Sequence, residues 1–177
     1  ATSGAGNQGM EELFHQTKGI FVNDTVTPEV FTKQIAFNAI PHIDVFMDDG
    51  FTKEEWKMQV ETAKILDPNI QVAATCVRVP VLNGHSESIH IQTEKPLSEE
   101  LAINILNEAP GLRLHYGSGK DDYPTAASEA DGDYLVHVGR LRKDLWSDNR
   151  MNLWVVADNL LKGAALNSVQ IAALIFD

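Results

Sequence analysis

From Met10 onward the apolar positions of this chain switch between a helical period and a strand period, and the switches predict its elements. Met10, Leu13, Phe14 and Thr17 recur at helical spacing, Gly19 is placed to end that helix, and residues 1–6 read as loop. Residues 20–50 hold no period. Turn signals at Asn23-Asp24, Pro28, Pro41 and Asp48-Asp49-Gly50 predict a long irregular connection anchored by Ile35, Phe37, Ile40, Ile43, Val45 and Phe46. Thr52 followed by Glu55 is a capping box, in which hydroxyl and carboxylate each accept from an otherwise unpaired backbone N–H. The helix it opens carries Trp56, Val60 and Ala63 on one face and Glu54, Lys57, Glu61 and Lys64 on another, and Asp67-Pro68-Asn69 stops it. Residues 70–82, rich in Val, Ala and Thr, predict a buried strand, and Asn83-Gly84 a turn. Residues 86–94 alternate, Ile89 and Ile91 facing one way and Ser88, His90 and Gln92 the other, so the two segments predict an antiparallel hairpin. A helix from Ser98 with Leu101, Ile105 and Leu106 inward is ended by Pro110-Gly111. A short strand at 112–116, a loop at 117–133 and strands at 134–142 and 151–157 follow. The last helix runs from about Asn159 to Ile175, with Leu160, Ala164, Ser168, Ile171 and Ile175 on one stripe. Strands and helices come in irregular order, which predicts an α+β fold: a mixed, largely antiparallel sheet covered by helices.

At 177 residues the chain predicts one domain, and 44% hydrophobic with 22% charged residues is ordinary globular composition. Charge narrows the partners. Lys and Arg number 14 against 25 Asp and Glu, a formal net charge of -11, which repels phosphate backbones and argues against nucleic acid. Cys76 is the only cysteine, which excludes an intramolecular disulfide and suggests a reducing cytoplasm. Asp158 and Lys162 interrupt the apolar run from Leu153 to Phe176, so no segment reads as a membrane span. The start, Ala1-Thr2-Ser3-Gly4-Ala5-Gly6, has neither an initiating Met nor the pattern of a signal peptide, and reads as a piece of a longer protein.

The candidate chemistry is sparse. The six His form no HxxxH or HExxH pattern, and one Cys makes no zinc knuckle, so no metal site is expected. Cys76 reads either as a nucleophile beside Arg78 on the same strand face or as a small buried hydrophobe. Arg78, inside Cys-Val-Arg-Val-Pro-Val, reads either as a fork for a carboxylate or as a structural ion pair. His85, just past Asn83-Gly84, is either a proton-transfer group or an exposed turn residue. A backbone extended from Arg78 to His85 separates their Cα atoms by roughly 23 Å, whereas a fold-back lets both border one cleft. Glu54 and Lys57 lie in the first turn of a capped helix, as a solvated pair or as part of an anion site. Ser3-Gly4-Ala5-Gly6 before a helix is a candidate anion or cofactor loop, although it is not GxGxxG.

Taken together the motifs resemble a family. Glu54-Glu55-Trp56-Lys57, Glu61-Thr62, Cys76-Val77-Arg78-Val79-Pro80-Val81 and Gly84-His85-Ser86-Glu87 resemble the C-terminal part of bacterial aspartate-semialdehyde dehydrogenases. So do Ile35-Ala36-Phe37-Asn38 with Ile40-Pro41, Val138-Gly139-Arg140-Leu141-Arg142, Asp158-Asn159-Leu160 and Gly163-Ala164-Ala165, in order and nearly end to end. The resemblance implies a glyceraldehyde-3-phosphate dehydrogenase-like C-terminal domain over residues 1–177, used for substrate binding and dimerisation. The dinucleotide-binding domain with its thioester-forming cysteine would lie outside the chain. Cys76 is then not the nucleophile, and the chain alone is inactive. The family's reaction converts L-aspartate 4-semialdehyde, phosphate and NADP to L-4-aspartyl phosphate and NADPH, for lysine (through diaminopimelate), threonine and methionine biosynthesis in the cytoplasm.

By the same resemblance His85 matches the general acid/base. Arg78 matches the arginine that grips the substrate α-carboxylate, Glu54 the acid that meets its amino group, and Lys57 the lysine associated with phosphate. Ser3 and Gly4 match the segment beside the nicotinamide of NADP, and Asn159 a cofactor contact. A homodimer is expected, covering Phe31, Phe37, Ile40, Ile43 and Phe46, although a surface facing the other domain would be apolar too. The alternative is a non-catalytic dimerisation module or pseudo-enzyme paralogue.

Overall fold

The computed structural model describes residues 1–117, 119 and 121–176. These form two compact units, one of Thr2 with Gly4–Pro80, the other of Ala1, Ser3 and the chain from Val81 on.

In the first unit the opening is not loop: Thr2–Ala5 makes a 3₁₀ turn that leads into α1, Gly6–Phe21. Gly9 allows this. A Cβ there would stand 2.7 Å from the Thr2 carbonyl oxygen and 3.0 Å from Phe31 Cζ. Gly19 does not end α1, which runs on to Phe21. The reversal comes at Asn23, whose φ of 56° is the left-handed conformation that asparagine tolerates. From Val22 to Phe51 the chain is irregular, as expected, and α1 holds it with polar side chains. Gln16, 4% exposed, accepts at Oε1 from the backbone N–H of Ile35 (2.8 Å) and Ala36 (3.1 Å), and its Nε2 donates to Glu12 Oε1 (2.8 Å). Glu12 Oε2 accepts from the N–H groups of Glu29 and Val30. Ile35 and Ala36 are fully buried and need such partners, because an unpaired buried N–H is costly. Ile35 and Ile40 join Leu13 and Ala36 in the core, with Phe31 packed against it. Phe37, Val45 and Phe46 are exposed and so do not anchor the connection, and Ile43 is half-buried. Of the patch expected at a dimer interface, Phe37 and Phe46 are exposed while Ile40 is buried. Phe37 adopts φ 58° and leaves the core to sit edge-on to Phe21.

Helix α2, Lys53–Ile65, opens on the expected capping box. Its expected inner face is wrong: Trp56 and Val60 are exposed, Ala63 is half-buried, and its one buried residue is Glu55. Residues 70–82 form no strand. Exposed and half-buried positions do alternate from 71 to 78, yet the backbone ladder is a single bridge, Ile40 to Arg78, with bonds of 2.8 and 2.9 Å. The expected hairpin is therefore absent.

The second unit holds the sheet, in order β1-β4-β3-β2. Strand β1, His85–Gln92, pairs antiparallel over its whole length with β4, Arg150–Ala157, so its partner comes from the end of the chain and not from 70–82. Strand β3, Val136–Lys143, is antiparallel to β4, with a register shift between Gly139 and Arg142, and β2, Leu112–Leu114, is parallel to β3. This is the expected α+β class with a mixed, largely antiparallel sheet.

One face carries Met151, Leu153 and Ile91 under α3, Glu99–Glu108. The Ser98 hydroxyl caps α3 by accepting from Leu101 N–H, and Ala102, Ile103 and Leu106 pack inward. Leu101 and Ile105 are exposed, contrary to expectation. On the other face Trp154 Nε1–H donates to the Pro124 carbonyl (3.0 Å). The expected loop at 117–133 includes Ser118 and Lys120, which lie outside the described residues, and it contains a π-helical turn, Ala126–Ala130. It is tied to β3 by a chain from Asp133 Oδ2 to His137 Nε2 (3.0 Å) and from His137 Nδ1 to His115 Nε2 (2.9 Å). The last helix begins as a π-helical turn, Leu161–Ala165, and continues as α4, Leu166–Phe176, which buries no residue among those described. Its expected inner stripe therefore covers nothing in this unit.

Candidate functional site

The expected site residues fall into two sets, one in each unit: Arg78, Glu54, Lys57 and Gly4 in the first, His85, Ser3 and Asn159 in the second.

In the first set Arg78 is the centre. Its backbone is fixed by the bridge to Ile40, and its half-buried guanidinium has Gly4 and Phe31 among its neighbours. A Cβ on Gly4 would stand 2.7 Å from Arg78 Nη1, so a larger residue there would push that end of the fork aside. The Phe31 ring centroid lies 5.6 Å from Arg78 Cζ, within cation–π range. Burial pushes the guanidinium below its ordinary value, while the charge of Glu54 and then the Cys76 thiol act against that. An arginine stays protonated regardless, so the outcome is a desolvated, permanently charged fork.

Glu54 and Lys57 are brought together as an ion pair, Nζ to Oε2 3.1 Å, with side chains 26% and 37% exposed. The Glu54 hydrogen bond raises Lys57 above its ordinary value. The charges of Glu54, Glu61 and Asp44 add to this, and burial opposes it. The pair is wet and worth little to stability, but it keeps Lys57 a cation beside the start of α2.

Glu55 went unrecognised as a positioning residue. Its Oε2 closes the capping box on Thr52 N–H (2.8 Å) while its Oε1 accepts from Cys76 N–H (2.8 Å). One carboxylate thus ties the start of α2, with Glu54 and Lys57, to the segment that carries Arg78. The N–H groups of Thr52 and then Cys76 hold it below its ordinary value, against burial. The sequence signal was the capping box, which accounts for only one of its two oxygens. Cys76 itself is half-buried, where a buried hydrophobe was one of the two expectations, and its backbone N–H is held by Glu55.

In the second set Ser3 Oγ–H donates to Asn159 Oδ1 (2.8 Å), and Gly84 N–H donates to the same oxygen (2.9 Å). Ser3 N–H donates to the Leu82 carbonyl (2.9 Å). The Ser3–Asn159 pairing joins two residues at opposite ends of the chain, both expected at the cofactor. His85 is exposed and opens β1 opposite Ala157. The turn before it is held by a residue the sequence reading passed over. Asp158, 2% exposed, accepts at Oδ2 from Asn83 Nδ2 (2.8 Å) and Gly132 N–H (2.9 Å), and at Oδ1 from Leu160 N–H (2.8 Å) and Leu161 N–H (3.0 Å). Burial pushes its carboxyl up, but the N–H groups of Gly132, Leu161 and Leu160 and the Asn83 amide outweigh it and leave it below its ordinary value. Gly84 is glycine for two reasons: its φ is 89°, and a Cβ would meet Ala126 Cβ at 3.0 Å. Among the described residues no helix is long and apolar enough to cross a membrane.

The family model for the semialdehyde dehydrogenase dimerisation domain matches residues 1–162. An aspartate-semialdehyde dehydrogenase of Shewanella sp. (strain DB6705) is 48% identical over 99% of this chain and 52% of its own length. The crystal structure of aspartate semialdehyde dehydrogenase II complexed with ASA from Vibrio cholerae matches 98% of this chain and 51% of that one, at a TM-score of 0.94 and 47% identity. The aspartate semialdehyde dehydrogenase with NADP from Candida albicans matches 78% of this chain and 44% of that one, at a TM-score of 0.63 and 26% identity. The chain spans about half the length of the curated relatives it matches. With the mixed sheet and the Arg78 and Asn159 settings beside them, these matches show that the chain belongs to the semialdehyde dehydrogenase dimerisation-domain family.

Proposed function

We propose that this chain is the substrate-binding and dimerisation domain of an NADP-dependent aspartate-semialdehyde dehydrogenase of the cytoplasm. In the proposal it works as a homodimer, joined to a dinucleotide-binding domain that carries the thioester-forming cysteine. The reaction takes L-aspartate 4-semialdehyde, phosphate and NADP to L-4-aspartyl phosphate and NADPH. The observation that carries the reading is the Arg78 fork, desolvated against Phe31 and Gly4 within the field of Glu54.

An α-amino acid needs a fixed bidentate donor for its carboxylate, and a buried guanidinium supplies one. Its ammonium needs an acid, and Glu54, with its side chain a quarter exposed, suits that role. Lys57, already held as a cation by Glu54, has donors for a phosphate oxygen. His85 is the proton shuttle. Once the cysteine sulfur of the joined domain has added to the aldehyde carbon, His85 takes the proton of the resulting hydroxyl as that carbon gives up its hydride. Phosphate then displaces the sulfur from the thioester to give the acyl phosphate and free the thiol; in the reverse direction the proton is returned. NADP, when bound, accepts that hydride. Asn159 fits a nicotinamide carboxamide: its Oδ1 is fixed by Ser3 and Gly84, which aims its Nδ2 donor. Ser3 holds that amide, and Gly4 follows it in the segment assigned to the nicotinamide.

The test is NADPH formation, followed by absorbance, with L-aspartate 4-semialdehyde, phosphate and NADP. The joined protein should turn over, and the 177-residue chain alone should not, with or without Cys76→Ala. No turnover by the joined protein, or turnover by the chain that Cys76→Ala abolishes, would overturn the reading.

A further inference from the structure

We propose that Phe31 is a positioning residue for Arg78: its ring, on a segment whose backbone is pinned by a buried Glu12–Gln16 pair on α1, seats the guanidinium fork. This rests on the reading of Arg78 as the carboxylate-binding residue. Phe31 lies in the irregular segment after α1, where nothing periodic holds a side chain, yet its ring is constrained from several directions. On the N-terminal side Glu12 Oε2 accepts from the N–H groups of Glu29 and of Val30, the residue next to Phe31. On the C-terminal side Gln16 Oε1 accepts from Ile35 and Ala36 N–H, and Gln16 is itself bonded to Glu12. The ring packs against the Leu13, Ile35, Ala36 and Ile40 cluster. It also reaches Gly9, where a Cβ would come within 3.0 Å of Cζ.

A ring held this firmly is a platform. The cation above it, 5.6 Å from the centroid, is drawn to the face by the ring quadrupole, an attraction that uses none of its N–H donors. Gly4, beside Nη1, limits where that end of the fork can lie. A guanidinium so placed is pre-organised for two parallel N–H···O bonds to one carboxylate. Without the ring it would pay for that orientation on each binding event, which lowers affinity and leaves the chemical step untouched.

The test is steady-state kinetics of the joined enzyme with the Phe31 ring replaced by 3,4,5-trifluorophenylalanine, which keeps the shape and weakens the quadrupole. Phe31→Leu, Phe31→Tyr and Arg78→Lys are measured alongside. The expected result is a KM for L-aspartate 4-semialdehyde raised about 3- to 10-fold by the fluorinated ring and by Phe31→Leu. In those two variants kcat and the KM for phosphate should stay near wild type, and Phe31→Tyr should restore the KM. Unchanged KM in the fluorinated enzyme, or a fall in kcat without a rise in KM, overturns the positioning role while Arg78→Lys still raises KM. If Arg78→Lys also leaves KM unchanged, the reading of Arg78 fails and this proposal fails with it.

Discussion

Asp158→Asn is the substitution whose effect follows most directly from the geometry. The carboxylate is 2% exposed and accepts four hydrogen bonds, two at each oxygen. An asparagine can offer its oxygen to only one pair of donors. Its NH2 then faces either Asn83 Nδ2 with Gly132 N–H, or Leu160 with Leu161 N–H, donor against donor. Hydrogen bonds to a charged group contribute about 1.5–3 kcal/mol each, so losing two costs about 3–6 kcal/mol. For a domain of this length that lowers the melting temperature by roughly 6–24 °C. Thermal unfolding by circular dichroism reads it, with Asp131→Asn as control, because the exposed Asp131 accepts a single bond from the same Asn83 amide (2.7 Å) and its loss costs under about 1.5 kcal/mol. The pH dependence has a definite sign. The Asp158 carboxyl titrates below its ordinary value of 3.8 when folded. Its contribution is therefore complete above the unfolded value and is lost as pH falls through the folded one. The gap between wild type and Asp158→Asn should be widest near neutrality and narrow below about pH 4. A melting temperature within 2 °C (roughly 1 kcal/mol or less) of wild type at pH 7, or a gap unchanged down to pH 3, would refute the reasoning.

Two further outcomes are expected. Thr52→Ala removes the hydroxyl that caps α2 and should cost about 1 kcal/mol, read as a lower urea midpoint at unchanged slope. Gly4→Ala puts a Cβ 2.7 Å from Arg78 Nη1; since the far end of a flexible side chain can shift, the melting temperature should hold while the KM for the semialdehyde rises about 10-fold, as for a lost charge-assisted bond.

How far the sequence reaches depends on whether an element's partner is local. The capping box of α2 was legible because Thr52 and Glu55 satisfy each other within one turn. Strands β1, β3 and β4 were legible because alternation and flanking turns mark a strand whatever it pairs with. Pairing itself was not legible. Residues 70–82 have the period of a strand, but β1 pairs with β4, and period alone does not choose between partners. Helix faces failed in a related way. Leu101 and Ile105 read as inner positions, yet it is Ala102, Ile103 and Leu106 that pack against the sheet. The polar groups that organise the molecule were the least visible. Glu12, Gln16 and Asp158 look like surface residues, because burial of a polar side chain shows only when the N–H groups it satisfies are in place. Of the candidate site, the partial burial of Arg78 was readable from its apolar neighbours in sequence. The Gly4 and Phe31 settings of that fork, and the Ser3–Asn159 bond, join residues too far apart in sequence for spacing to reveal.

The central claim, that Arg78 binds the substrate carboxylate and His85 moves the proton, is tested most directly by steady-state kinetics of Arg78→Lys and His85→Ala side by side in the joined enzyme. The account predicts that Arg78→Lys raises the KM for L-aspartate 4-semialdehyde with kcat nearly kept, because a point charge does not reproduce a bidentate fork. It predicts that His85→Ala lowers kcat by about 10²–10⁴-fold with KM nearly kept. An Arg78→Lys enzyme with wild-type KM, or a His85→Ala enzyme that loses only substrate affinity, would contradict it.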